Sequence, residues 1–357
     1  VNAGNSIASG GNFNVFVGDE AGTAMTTGDN NTAVGFQALD AEDTTTNSTA
    51  IGFTALTTQN GGSSNTAVGA YSLALLTDGG SNVAVGDFAG FSTTSAINTV
   101  FIGHNAGLFA TTANSSTFVG SFAGQGITGV KLTGNNNTAV GTSAGLLLQG
   151  GAAQNTLIGT SAGDSVTTGT SLTILGYNAG QALEGATRTT CIGDSAGASV
   201  TTNDNTFIGQ NSGQSITSGD ANTILGRFNG NQHSLDIRTA SNHIVLSDGD
   251  GNPRATCFSG GSWQFYNTGG SGSDNVNARN GDGAGTSRSL FVGWHSATSP
   301  TTGTLAFNVT TNGNVTNINN SYGATSDVKL KENIVDAASQ WDDIKALTVR
   351  KYSMKAD

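Results

Sequence analysis

Short runs of apolar residues recur along residues 1–230 at a nearly fixed interval, and each run ends on a glycine. They read NVFVG, NTAVG, STAIG, NTAVG, NVAVG, TVFIG, STFVG, NTAVG, NTLIG, LTILG, TTCIG, NTFIG and NTILG. The thirteen anchors are Gly18, Gly35, Gly52, Gly69, Gly86, Gly103, Gly120, Gly141, Gly159, Gly176, Gly193, Gly209 and Gly226, mostly 17 residues apart. The residue before each anchor is Val, Ile or Leu; the residue three before is Thr in ten copies and Val in three. β-Branched residues at those places suit a pleated strand. Between them sits Ala, Phe, Leu, Ile or Cys, on the opposite face. A strand apolar on both faces must be covered on both. One face is expected to line the inside of its own coil, and the other needs a partner, which a homotrimer supplies.

Three residues after the anchor stands Ala or Ser in twelve copies, followed by Gly in ten and Leu in three. Small residues allow close backbone approach and positive φ. The rest of each repeat, such as TTGDN or TTND, is polar turn material. One strand, one corner and one polar return per period describe a solenoid coil. Stacked at the strand spacing of about 4.8 Å, thirteen coils would be roughly 60 Å long.

Asparagine stands four before the anchor in eight copies: Asn14, Asn31, Asn65, Asn82, Asn137, Asn155, Asn205 and Asn222. A calcium or sugar ladder is one reading; a stacking and turn-forming role is the plainer one and is preferred. The interval lengthens to 21 between Gly120 and Gly141, so residues 126–134 are expected to leave the stack as a surface loop, either a receptor loop or, the preferred reading, a tolerated one.

The period stops near Asn231. SNHIVLSDGDGNPRATCF then reads as a hairpin. Asp248, Asp250 and Asn252 have the alternate spacing of a calcium loop, but no glutamate follows at the required distance, so a turn is expected. Residues 269–285 are glycine-rich and read as a linker or long loop. Further strands follow in SLFVGWHSA and TGTLAFNVTTNGNVTNI, with Asn312-Gly313 as a hairpin turn signal. Trp263, Tyr266, Trp294 and His295 concentrate in this part and are the candidate receptor contacts; the competing reading makes such rings the core of a small trimeric β-domain.

Composition narrows the class. Glycine is 53 of 357 residues, proline 2, and charged residues only 10%. The low charge separates the chain from charge-driven disorder. Net charge is −11, with no basic stripe for nucleic acid and no apolar run long enough to span a membrane. Cys191 and Cys257 are the only cysteines, so neither a disulfide framework nor a metal set is expected, and no cofactor. The 24 acidic residues fall mostly in turns, without the convergent pair of a glycan hydrolase. The start at Val1, without a Met, is read as a missing upstream portion.

The C-terminal stretch is different chemistry. Charge rises, and DAASQWDDIKAL has a helical pattern with Trp341, Ile344 and Leu347 on one side. Ser326 followed by Lys331 is a possible nucleophile and lysine base, provided a turn brings them together and the lysine is neutral.

Two resemblances bear on these residues. The repeats are similar to the head repeats of trimeric autotransporter adhesins and to the Asn-Thr-Ala-Val-Gly repeats of phage fibre proteins, families of trimeric β-rolls and related solenoids. Ser326, Asp327, Val328, Lys329, Leu330, Lys331, Glu332, Asn333 and Ile334 resemble the hallmark Ser-Asp-x-Arg-Leu-Lys-x-x-Ile. That hallmark belongs to the intramolecular chaperone domain of phage tailspikes and fibres, which is also classed as a peptidase. The resemblance implies a Ser326–Lys331 dyad and chain cleavage beside Ser326 and Asp327 after trimerisation. Lys329 replaces the usual arginine, and the family domain runs beyond Asp357, so self-cleavage of this length of chain is not assured.

The expected fold is therefore all-β: a trimeric parallel β-solenoid or β-roll over 1–230, a β-rich trimeric tip or neck over 231–321, and the start of an α+β chaperone segment over 322–357. The expected function is that of a virion structural protein, an extracellular phage tail-fibre shaft or tip for host attachment. At most it would perform a single self-cleavage. A bacterial trimeric surface adhesin is the alternative. Expected partners are two further copies of the chain, tail or baseplate proteins, and a host glycan or protein receptor.

Overall fold

The computed structural model describes residues 2–41 and 44–266 in full, and the backbone of residues 289–299, 302–310 and 315–317. Thirteen strands of three residues, β1 (Val15–Val17) to β13 (Thr223–Leu225), lie side by side in one parallel sheet. Every repeat contributes one strand, in the same register: Phe101 stands beside Phe118, and Phe118 beside Ala139 across the longer repeat. The chain is a parallel β-solenoid with the period read from its sequence.

Two features of backbone geometry end each strand after three residues. The anchor glycine has φ between +126° and +145° in the first twelve coils, a region open in practice only to glycine. Gly120 shows a second need for it: a Cβ there would lie 2.5 Å from the carbonyl oxygen of Gly141 in the next coil. On the other side, the residue five before each anchor takes φ of +53° to +63° in all thirteen coils. Asn and Ser hold eight of these corners, and asparagine is among the residues that tolerate left-handed backbone best.

The core runs down the inside of the coil. The middle residue of the strand points inward and is fully buried from Ala33 to Ile224. In several coils its size is matched to the residue four after the anchor. Where the strand carries Ala33, Ala50 or Ala67, the corner carries Leu39, Leu56 or Leu73, all fully buried. Where the strand carries Phe118 or Phe207, the corner is Gly124 or Gly213, and a Cβ there would strike the ring. These pairs keep their coils close-packed. Where both positions are small, as in Ala84–Gly90 and Ala139–Gly145, side chains from neighbouring coils fill in: Phe101 and Leu73 reach Gly90, and Leu157 reaches Gly145.

This pairing is testable by exchange. Phe118→Ala alone should destabilise by about 3–5 kcal/mol through lost burial and a cavity. Adding Gly124→Leu should recover part of that loss, since the double variant copies the Ala33–Leu39 pair. Urea titration of both variants measures this; a double variant less stable than the single would contradict the matched-volume account.

Past β13 the period breaks but the ladder does not. A small excursion, β14 (Asn231–Gln232) paired antiparallel with β15 (Leu235–Asp236), returns the chain to β16 (Ile244–Ser247). β16 pairs parallel with β13, with Ile224 beside Val245, and is a fourteenth rung. The expected hairpin follows as β17 (Pro253–Cys257), antiparallel to β16, and β18 (Trp263–Phe265) adds a third antiparallel strand. The residues from Val276 form a separate unit. In it β19 (Ser289–Ser299), β20 (Thr302–Thr310) and β21 (Val315–Asn317) make an antiparallel sheet. The strands on either side of Asn312-Gly313 pair as expected; the turn itself, the 269–285 linker and the 336–347 helix lie outside the described residues.

Candidate functional site

Three surfaces of the solenoid carry the candidate chemistry, and strand alternation creates the first. With the middle residue inward, the flanking two point outward. The residue before each anchor then forms a row of Val, Ile and Leu along the outside of the sheet, one per coil. Its members are exposed to differing degrees: Val17 is 55% accessible, Leu175 45% and Leu225 40%, while Val34, Val68, Val119, Val140, Ile158 and Ile192 are more covered. Thr or Val stands beside each of them, and no charged residue occupies either position in the thirteen coils. The inner face of the strand is covered by its own coil. In the single chain the outer face is open.

The ladder asparagines are not such a surface. Seven of the eight are buried. Asn31 donates its amide to Thr45 O at 2.8 Å and accepts the Ser48 N–H at 2.9 Å, both on the following coil. Asn137 does the same, donating to Ala152 O at 2.7 Å and accepting the Asn155 N–H at 3.3 Å. With donor and acceptor both satisfied by the neighbouring backbone, the side chain fastens coil to coil. The stacking and turn-forming reading holds, and a calcium or sugar ladder finds no free ligand atom here.

The third feature is an aromatic ridge that the sequence reading did not single out. Phe36, Phe53, Tyr71 and Phe88 stack on consecutive coils with centroids 4.7–5.4 Å apart, and Phe91 abuts Tyr71 and Phe88. Phe88 and Phe91 continue into a shallow groove of about 370 Å³ with His104, Asn105, Leu108 and Phe109. The signal was present, since these residues follow their anchors by one or two places. It was hidden because the ridge changes position, from Phe36 and Phe53 one after the anchor to Tyr71 and Phe88 two after. Within the ridge, Phe36 and Phe53 stack nearly parallel, as do Tyr71 and Phe88.

The other predicted sites divide cleanly. Residues 128–131 are exposed, and the chain rejoins the stack at buried Leu132, which bridges to Ala110 and Gly150, so the excursion is a surface loop. Asp248 accepts the N–H groups of Asp250 at 3.0 Å and Asn252 at 2.9 Å, and it pairs with the Arg254 guanidinium. Those donors, the Asn252 amide above all, hold its carboxyl well below the usual carboxylate range. That is the expected turn, with its oxygens already engaged. Trp263 is 49% exposed on β18, and Tyr266, half-buried, donates its N–H to Arg254 O at 3.0 Å. Trp294 and His295 stand on β19, opposite Leu305 and Thr304 on β20. They belong to the second unit, where only the backbone is described. Ser326, Asp327 and Lys331 lie outside the described residues.

No protein-family model, curated protein or solved structure matches the chain. Its functional reading rests on residues and geometry.

Proposed function

We propose that the chain is the shaft and tip portion of a trimeric phage tail fibre used for host-cell attachment, displayed on the virion. The observation that carries this reading is the outward aliphatic row. A solenoid with a closed interior and a continuous uncharged stripe on one face has an unmet demand for apolar cover. A second solenoid of the same repeat meets it best, because its row has the same spacing of about 4.8 Å along the axis. Three copies arranged about a common axis satisfy all three rows in one closed assembly.

Fibre formation explains the C-terminal stretch as well. Identical coils offer many near-equivalent registers, and parallel non-local pairing is slow and prone to error. The Ser326-Asp327 segment, by its resemblance to an intramolecular chaperone, is the element that clamps three chains in register. Cleavage beside Ser326 would then release the clamp and leave the fibre kinetically trapped.

The mass of the full-length gene product tests this reading. With Ser326 intact the expected result is a break beside residue 326; Ser326→Ala should remain whole. Cleavage in both, or in neither, would overturn the dyad. Failure to trimerise would overturn the fibre.

A further inference from the structure

The antiparallel cap is the place where the outward face of the shaft meets its largest exposed rings. Residues paired across neighbouring strands project from the same face of a sheet. The registers set Leu225, Leu246, Ala255 and Phe265 side by side across four strands. They set Thr223, Ile244, Cys257 and Trp263 in the line beside it. Leu225 is the last member of the outward aliphatic row, so the row does not stop at β13. It passes Leu246 on β16 and Ala255 on β17, the latter buried, and ends at Phe265, while the line beside it ends at Trp263. The two rings are 47% and 49% exposed and parallel within 16°. On β13, β16 and β17 the other face is closed, with Ile224, Val245 and Thr256 fully buried, while Gln264 on β18 is exposed.

We propose that Trp263, Phe265 and Cys257 belong to the chain–chain seam and face the same segment of a second copy, an inference that rests on the trimeric reading above. Continuity is the first argument, since the rings extend the stripe with no break in register. Charge is the second. None of the eight residues in those two lines is Asp, Glu, Lys or Arg, in a chain of net charge −11, so like copies meet there without repulsion. Area is the third. Sixteen strands at about 4.8 Å spacing, mostly three residues and so about 10 Å long, offer roughly 770 Å² per chain, close to the value of about 800 Å² per partner in a stable interface. In the assembled fibre the rings are then covered, and Trp263 is not an open platform for a receptor sugar.

The two cysteines provide the test. Cys191 is buried inside the coil, and burial pushes its thiol up to about 12, so it stays unreactive in the folded particle. Cys257 on the outer face is therefore the reporter. The full-length chain is treated with a maleimide at neutral pH, native and in denaturant, while light scattering gives the number of chains per particle. The expected result is a three-chain particle in which Cys257 reacts about a hundredfold more slowly than in the denatured chain. A three-chain particle with rapid labelling would overturn the extension and leave the shaft reading intact. A single-chain particle would overturn both. Phe265→Asp separates the seam from any other cover over Cys257. It should raise the concentration for half-dissociation by about tenfold or more. Unchanged association of that variant would overturn the proposal even with Cys257 protected.

Discussion

Gly120→Val is expected to break the ladder between its coil and the next, destabilising the chain by more than about 5 kcal/mol. Two effects add at this position. The backbone has φ of +132°, where a β-branched residue has no unstrained conformation. The new Cβ would also stand 2.5 Å from Gly141 O and 2.6 Å from Gly141 C, and these are backbone atoms that no rotamer change moves away. Relief requires the coils to separate, which stretches the bond from the Gly141 N–H to Val119 O, 2.8 Å in the native chain. Gly129→Ala is the matched control. It lies in the surface loop with open space around it and should change stability by no more than about 0.5 kcal/mol. Guanidinium titration of the two variants gives the comparison. A Gly120→Val chain as stable as the control would refute the account of why every repeat ends on glycine.

The second large effect concerns assembly. Leu175→Asp combined with Ile208→Asp places two carboxylates on the outward row, at positions 45% and 38% exposed in the single chain. Neither residue contributes to the coil interior, where Ile174 and Phe207 are the buried neighbours. The coil itself should therefore keep its β-sheet circular dichroism. Each outward aliphatic contributes about 1 kcal/mol when its exposed half is covered, and an unpaired buried carboxylate costs several more, so the trimer should be lost. Val130→Asp, on the exposed loop away from the row, should assemble normally. A double variant that still forms trimers would move the seam to another face.

The repeat was legible in the sequence because each coil restates its own geometry. Inward and outward residues alternate over only three positions, and the glycine marks the end of each strand, so a count of anchors yields the strands directly. The plain role of the asparagines was legible for a similar reason, since a short amide at a turn is suited to the adjacent backbone. Three features were not. The fourteenth rung carries Ser247 where the anchor glycine belongs and lies 21 residues beyond Gly226, so neither residue type nor interval announces it. The exchange of Ala33–Leu39 for Phe118–Gly124 involves residues on different sides of the coil, and only their meeting in the interior shows that their volumes are coupled. The continuity from Leu225 to Phe265 depends on antiparallel registers through β16 and β17. Hairpin lengths alone do not fix those registers.

This also shifts the reading of the aromatic residues. Trp263 and Tyr266 drew notice because exposed rings suit a receptor. The register instead ties Trp263 to the Thr and Val line that begins at Val15, beside the aliphatic row that begins at Val17 and ends at Phe265. Tyr266, past the end of β18, is not part of that stripe in the register.

The most direct measurement is the molar mass of the purified chain in solution by light scattering, at micromolar concentration and moderate salt. Three chains of 35.7 kDa give about 107 kDa, the mass the account predicts for the particle. A well-folded, β-rich particle of 35.7 kDa would show that the outward aliphatic row needs no second copy, and would contradict the account at its centre.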